Sequence, residues 1–183
     1  MKQNSNLNVS FIRTVSLSNE ERAEIMRVCC EAFGGPFDEL FDLVAPTGVH
    51  VLARLDDCLV SHAVITERRF RIGDLPVMRA AYIDAVATLP GEQRKGYGSE
   101  VMRKTVEYAS VEFDIAGLAT VLDHWYGNMG WEHWKGELGL DDGGAVTVTE
   151  NLEERVMIHR LPATPAVDVN ARLIADWRPG GGW

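Results

Sequence analysis

The stretch Val86-Ala-Thr-Leu-Pro-Gly-Glu-Gln-Arg-Lys-Gly-Tyr-Gly-Ser-Glu100 decides how this chain is read. It opens on strand formers and closes on residues that begin a helix. At the joint stand Arg94, Lys95, Gly96 and Gly98. A helix start exposes amide N–H groups and a partial positive charge. Phosphate binds there with few side chains, and glycines let a diphosphate come close to the backbone. The N–H groups of residues 93 to 98 are therefore candidate donors, with Arg94 and Lys95 neutralising from the rim. The same residues also read as a surface turn that caps a helix. Neither GxxxxGK[ST] nor GxGxxG occurs, which sets aside a nucleotide-hydrolysing P-loop and the dinucleotide fingerprint.

Working outward, residues 9–14 predict a first strand. Ser18 stands three residues before Glu21, a capping-box spacing. The helix it starts runs to about Phe33, with Ile25, Val28, Cys29 and Ala32 on its apolar face, and Gly34-Gly35-Pro36 stops it. Residues 37–46 mix aromatic and acidic groups and read as a short helix or a lid. Residues 49–55 and 58–66 predict strands around the turn Asp56-Asp57, and a further pair, 68–72 and 77–88, turns at Gly73-Asp74. A helix is expected over 97–110, burying Val101, Val106 and Ala109, with Met102 and Thr105 near the edge of its buried side. Residues 115–120 predict another strand and 123–128 a short helix, with looser strands at 145–149 and 155–160. A meander followed by strand–helix alternation predicts an α/β (α+β) fold, a mixed sheet flanked by helices. No repeat or long linker interrupts residues 1–183, so one domain is expected.

Composition narrows the function. Hydrophobic residues at 46% and charged ones at 25% suit a globular chain. A net charge of −9 disfavours nonspecific nucleic-acid binding and favours a cationic small ligand. No run reaches the roughly 20 apolar residues of a membrane span, and the first residues lack a signal peptide's apolar core. Cys29, Cys30 and Cys58 form neither a disulfide framework nor a CxxC pair, so a reducing cytoplasm is expected. His50, His62, His124, His133 and His159 are dispersed without a ligand spacing, so no metal is expected. His62 reads as a packed or hydrogen-bonded strand residue, and Asp123 and His124 as a conceivable local proton shuttle near Tyr126.

The segment Gln93 to Gly98 resembles the acyl-CoA motif [Gln/Arg]-x-x-Gly-x-[Gly/Ala] of the GNAT N-acetyltransferases. Trp125-Tyr-Gly-Asn-Met-Gly-Trp131 resembles that family's later Tyr-x-x-x-Gly-[Phe/Trp] element. More narrowly, Ala32-Phe-Gly-Gly35, Arg79 to Val86 (RAAYIDAV) and Asp176-Trp-Arg-Pro-Gly-Gly-Gly-Trp183 resemble aminoglycoside 2'-N-acetyltransferases. The resemblance implies a GNAT-like sheet whose middle strands splay apart, with acetyl-CoA as cosubstrate. It places pantetheine along Val86, Ala87 and Thr88, and pyrophosphate at Gln93, Arg94, Lys95, Gly96, Tyr97 and Gly98. It also implies an aminoglycoside partner and a possible homodimer; the surplus tryptophans suit either an interface or the pocket.

Amine acylation needs a neutral amine, a proton acceptor, stabilisation of the oxyanion and a proton for the leaving thiolate. No cysteine nucleophile is required. Tyr126 is the candidate acid, because a phenol with a reference pKa near about 10 stays protonated; its structural reading is an aromatic core residue between Trp125 and Trp131. Asp84 is the candidate base, acting through water, since the resembled enzymes carry glutamate there; alternatively it positions the substrate or bonds to backbone.

Carboxylates would orient a cationic acceptor. Candidates around it are Phe37, Asp38, Phe41, Tyr82, Asp84, Glu153 and the terminal carboxylate of Trp183, with Glu39, Asp42 and Glu154 nearby in sequence. Trp177, Arg178 and Trp183 are costly to expose, so the tail is expected to fold back. Against the resembled enzymes, Pro36, Phe41 and Gly181 stand where acidic residues are customary, and Asp84 is shortened. A less charged aminoglycoside is implied, and kasugamycin, which a divergent branch of that family acetylates, fits. The competing readings are a GNAT enzyme for another small amine or a protein amine, and a noncatalytic acetyl-CoA-binding module.

Overall fold

The computed structural model describes residues 6–37, 40–44, 47–150, 152–178 and 182–183. They fall into two compact units, Met1–Thr66 with Ile83–Glu107, and Glu67–Tyr82 with Tyr108–Trp183. Strands β3 (Cys58–Ile72) and β4 (Met78–Thr88) each contribute to both.

In the first unit β1 (Leu7–Arg13) pairs antiparallel with β2 (Val49–Leu55), which pairs antiparallel with β3. The β2–β3 turn holds Asp56 and Asp57 at φ 47° and 69°, left-handed values that aspartate tolerates. Helix α1 (Asn19–Phe33) opens with the expected capping box: the Ser18 hydroxyl accepts the Glu21 N–H, and the Glu21 carboxylate accepts the Ser18 N–H. Gly34, at φ 73°, ends it. Ile25, Val28 and Cys29 are buried and belong to one core with Leu52, Leu59, Val64 and Ala87; Ala32 is only half-buried. A short helix α2 (Leu40–Val44) adds Leu40 and Val44 to that core. Helix α3 (Tyr97–Glu112) follows β4. Its buried line is Val101, Met102, Thr105 and Ala109, while Val106 is half-buried. This rotates the face from the sequence expectation. Thr105 is admitted because its hydroxyl donates back to the Val101 carbonyl at 2.8 Å.

In the second unit β4 pairs parallel with β5 (Ile115–Thr120), from Ala80–Ile115 to Tyr82–Gly117. β5 pairs antiparallel with β9 (Arg155–Arg160), and β9 with β6 (Glu132–His133). On the β3 side, β10 (Leu173–Asp176) runs antiparallel to Phe70–Ile72 and parallel to β7 (Leu138–Asp141), which pairs antiparallel with β8 (Val146–Val148). Parallel and antiparallel ladders together make the mixed sheet that was expected. Helix α4 (Asp123–Gly127) leads out of β5. The core collects Phe70, Tyr82, Ile115, Ile158, Leu173 and Trp183. Gly117 is required there, since a Cβ would lie 2.7 Å from the Phe70 ring.

Two sequence expectations are corrected. Residues 58–66 and 68–72 form one strand, because nothing between them breaks extended backbone. β6, β7 and β10 were not foreseen; each is four residues or fewer and is fixed by distant partners rather than by its own pattern.

Candidate active site

The β4–α3 joint lies wholly in the first unit. After Thr88 the chain makes a 3-10 turn at Pro90–Glu92, then passes through left-handed backbone at Arg94 (φ 61°) and Gly96 (φ 90°) before α3 begins. The first α-helical bond is Glu100 N–H to the Gly96 carbonyl at 3.0 Å. Among the described residues, the N–H groups from Arg94 through Ser99 donate to no protein acceptor. Successive free amides in such a turn form an anion-binding concavity, strengthened by the helix N-terminus. Gln93 closes the turn by donating from Nε2 to the Thr88 carbonyl at 3.3 Å. Tyr97 and Gly98 occupy the first positions of α3 and are half-buried. The cations divide: Arg94 is exposed, but Lys95 is ion-paired with Glu92 at 2.9 Å, so Arg94 carries the uncompensated charge. No sequence spacing foretold that pairing.

β4 supplies the rest of this half. Its ladder with β5 ends at Tyr82–Gly117, while the strand itself continues to Thr88. Ser61 of β3 donates to the Ala87 carbonyl and bonds the Thr88 hydroxyl, both at 2.8 Å. Val86 is half-buried and Ala87 buried. Asp84 is half-buried, and the Thr66 hydroxyl donates to its Oδ2 at 3.5 Å. Sequence reasoning passed over Thr66, whose only signal was its place on the neighbouring strand. Ala85 has φ 49°, which interrupts the extended backbone of β4 directly after Asp84. Burial pushes the Cys29 thiol up to about 12, which keeps it protonated and inert.

Phe37 and Phe41 also belong to the first unit. Phe37 stacks on Phe33 with centroids 4.9 Å apart. Phe41 lies under the Arg22 guanidinium at 4.7 Å and beside His50 at 5.8 Å. Asp38, Glu39 and Gly181 lie outside the described residues.

Tyr126 belongs to the second unit. It sits in α4, edge-on to Trp125 at 4.7 Å and to Trp131 at 5.9 Å, and is buried. Gly130, at φ 86°, turns the chain so that Trp131 returns to Tyr126. Burial raises the phenol pKa well above its usual value, so the hydroxyl is a donor at any physiological pH. It is thus an aromatic core residue that keeps its hydroxyl proton. Of the two residues conceivable as a local shuttle, Asp123 is already engaged. That carboxylate pairs with Arg155 at 3.0 Å and caps the His124 N–H.

The C-terminal residues fold back. Trp183 is buried, and its indole donates to the Thr149 hydroxyl at 3.2 Å. Thr149 also lines a cleft of about 380 Å³ with Trp134, Glu137, Leu152, Glu153 and Glu154. Glu153 therefore lines the same cleft as Thr149, the residue that Trp183 bonds. Arg68, almost fully buried, donates to the carbonyls of Gly182 (3.1 Å) and Asp176. Its guanidinium lies 4.8 Å from the Tyr82 ring centre and that of Arg178 4.6 Å. Trp177, by contrast, is 53% exposed, which corrects the expectation that all three end residues are covered. Arg68 was invisible as a tail anchor because its partners lie 108 and 114 residues away.

The chain is similar to known proteins. The family model described as an acetyltransferase (GNAT) domain matches residues 13–134. The aminoglycoside 2'-N-acetyltransferase of Mycolicibacterium fortuitum is 27% identical over 177 residues, covering 94% of this chain and 90% of that one. Among solved structures, the GCN5-related N-acetyltransferase from Kribbella flavida aligns with TM-score 0.60 and 20% identity over 73% of this chain; this chain spans 34% of its length. Escherichia coli ElaA aligns with TM-score 0.60 and 16% identity, covering 84% of this chain and 98% of that one. The free amides ahead of α3, the mixed sheet and the match over residues 13–134 lead to one conclusion: the chain belongs to the GNAT family and is an acetyltransferase whose cosubstrate is acetyl-CoA.

Proposed function

We propose that this enzyme acetylates the 2'-amino group of an aminoglycoside with few amines, kasugamycin being the leading acceptor. The observation that carries the acetyl-CoA half is the run of unpartnered amides from Arg94 through Ser99. Pyrophosphate binds there, assisted by Arg94, and pantetheine lies along Val86, Ala87 and Thr88. The acceptor class is supported by the M. fortuitum relative, which aligns over 94% of this chain. The low charge of the acceptor is supported by Phe37 and Phe41. Arg22 over the Phe41 ring sets a cation beside a proposed acceptor contact, which supports an acceptor with few ammonium groups. Glu153, Tyr82 and Trp183 are the remaining acceptor contacts of this reading.

The amine nitrogen attacks the acetyl carbonyl, an amide C–N bond forms and the thioester C–S bond breaks. Asp84 takes the proton from the amine, directly or through one water. Tyr126 gives its proton to the departing thiolate and regains one from solvent. Thr66 holds the Asp84 carboxylate in orientation.

Thiol release should be measured with acetyl-CoA against kasugamycin, kanamycin-type drugs and a panel of simple polyamines. Turnover of kasugamycin above the others is expected. High turnover of kanamycin-type drugs with none of kasugamycin rejects the acceptor assignment and leaves the acetyltransferase intact.

A further inference from the structure

A chain of buried polar groups runs under β4 in the first unit. The Thr14 hydroxyl meets His50 Nε2 at 3.0 Å, His50 Nδ1 meets His62 Nε2 at 2.9 Å, and His62 Nδ1 meets the Ala85 carbonyl at 2.9 Å. Thr14, His50 and His62 are all at most 2% exposed. The direction of this chain follows from its end. A carbonyl only accepts, so His62 Nδ1 bears the proton. In the neutral ring Nε2 then accepts, and His50 Nδ1 must donate to it. His50 Nε2 in turn accepts from the Thr14 hydroxyl. That hydroxyl also lies 3.0 Å from the Gly48 carbonyl, which the Thr14 backbone N–H already satisfies at 2.9 Å. Each donor of this chain therefore finds an acceptor with both imidazoles neutral, and the buried Cys29 sulfur, 3.8 Å from His62 Nδ1, is a second, weaker acceptor for the same proton.

The chain ends on a strained residue. Ala85 holds φ 49°, a left-handed conformation that strains a non-glycine residue. It lies between Asp84 and Val86, so its turn sets the direction of both. We propose that His62 is a positioning residue: its Nδ1–H, oriented through His50 and Thr14, holds the Ala85 carbonyl and with it the left-handed kink that aims Asp84 and presents Val86–Thr88 to acetyl-CoA. The proposal rests on the acetyl-CoA placement above but not on the identity of the acceptor.

Two polar substitutions separate the two ring nitrogens. In His62→Asn the side-chain amide nitrogen falls near Nδ1 and keeps the bond to Ala85. In His62→Gln the side-chain carbonyl oxygen falls near Nε2 and keeps only the bond it accepts from His50 Nδ1–H. Calorimetry should give an acetyl-CoA Kd within about 3-fold of the parent for His62→Asn and about 10-fold weaker for His62→Gln, the scale of one buried carbonyl left unsatisfied. The double variant His62→Gln/Ala85→Gly should recover most of the loss, because glycine adopts positive φ without strain. Nitrogen-15 NMR of the free protein should show His62 protonated at Nδ1, a readout that needs no ligand. Equal losses for the two substitutions, no recovery with Ala85→Gly, or an Nε2-protonated His62 would each overturn the proposal. Acetyl-CoA binding without acetylation of any aminoglycoside would sink the acceptor assignment alone.

Discussion

At the scale of single residues, the phenol of Tyr126 and the amides before α3 make separable contributions. Tyr126→Phe keeps the edge-on packing with Trp125 and Trp131 and removes only the hydroxyl proposed as the proton donor. Steady-state kinetics should show kcat down by about 10²-fold with KM for acetyl-CoA nearly unchanged, the size of one general-acid contribution. Gly96→Ala tests the other half. A Cβ there meets no atom within 4 Å, so any penalty comes from backbone at φ 90° alone. The turn should relax at a cost of about 1–2 kcal/mol, read as roughly 5- to 30-fold weaker acetyl-CoA binding with little change in Tm. Gly48→Ala should act in the opposite way. Its Cβ would sit 2.6 Å from the Thr14 hydroxyl and 2.8 Å from the Val44 carbonyl, so thermal unfolding should register a loss of about 1–3 kcal/mol.

At the scale of elements, the His50–His62 pair ties β2 and β3 to β4 and makes the first unit sensitive to acid. Burial pushes His50 down to about 4 and His62 down to about 3, from an ordinary 6.5; neighbouring Arg22 adds to the first effect and His50 to the second. Unfolded histidine binds a proton as pH falls through 6.5, and the folded pair does not. Stability attributable to the pair is therefore full above about pH 7, and it falls with decreasing pH until the folded values are reached. By pH 5 each histidine should cost roughly 2 kcal/mol. Urea unfolding at pH 7.5 and pH 5 should show this, and replacing His50 and His62 together by apolar residues should flatten the profile. Most of the element pattern was legible before any coordinates. The α1 cap at Ser18, the stop at Gly34, β2 and β5 follow from local spacing and turn chemistry. The rotation of α3 toward Met102 and Thr105 was not legible, because a hydroxyl that bonds its own helix backbone counts as polar in a pattern and as buried in a core.

At the scale of the whole molecule, a net charge of −9 attracts a cationic acceptor and repels an anionic cosubstrate. Raising ionic strength from 50 to 500 mM should raise KM for the aminoglycoside several-fold while leaving kcat unchanged, because screening weakens long-range attraction more than close contact. An acceptor KM indifferent to salt would assign recognition to packing on Phe37 and Phe41 instead. What the sequence by itself determined is local or linear: the strand–turn–helix joint with free amides, the mixed order of elements, the aromatic turn around Tyr126, and the likeness to GNAT enzymes that joined them. Each depends on residues a few positions apart, where backbone geometry leaves few choices. Only the tertiary structure decided the rest. Arg68 anchors the chain end at Asp176 and Gly182, Trp177 stays exposed, and two histidines far upstream hold the kink at Ala85. Those outcomes depend on which polar groups meet once the core is closed. A buried donor is satisfied by whichever acceptor the fold brings to it, and sequence spacing does not specify that partner.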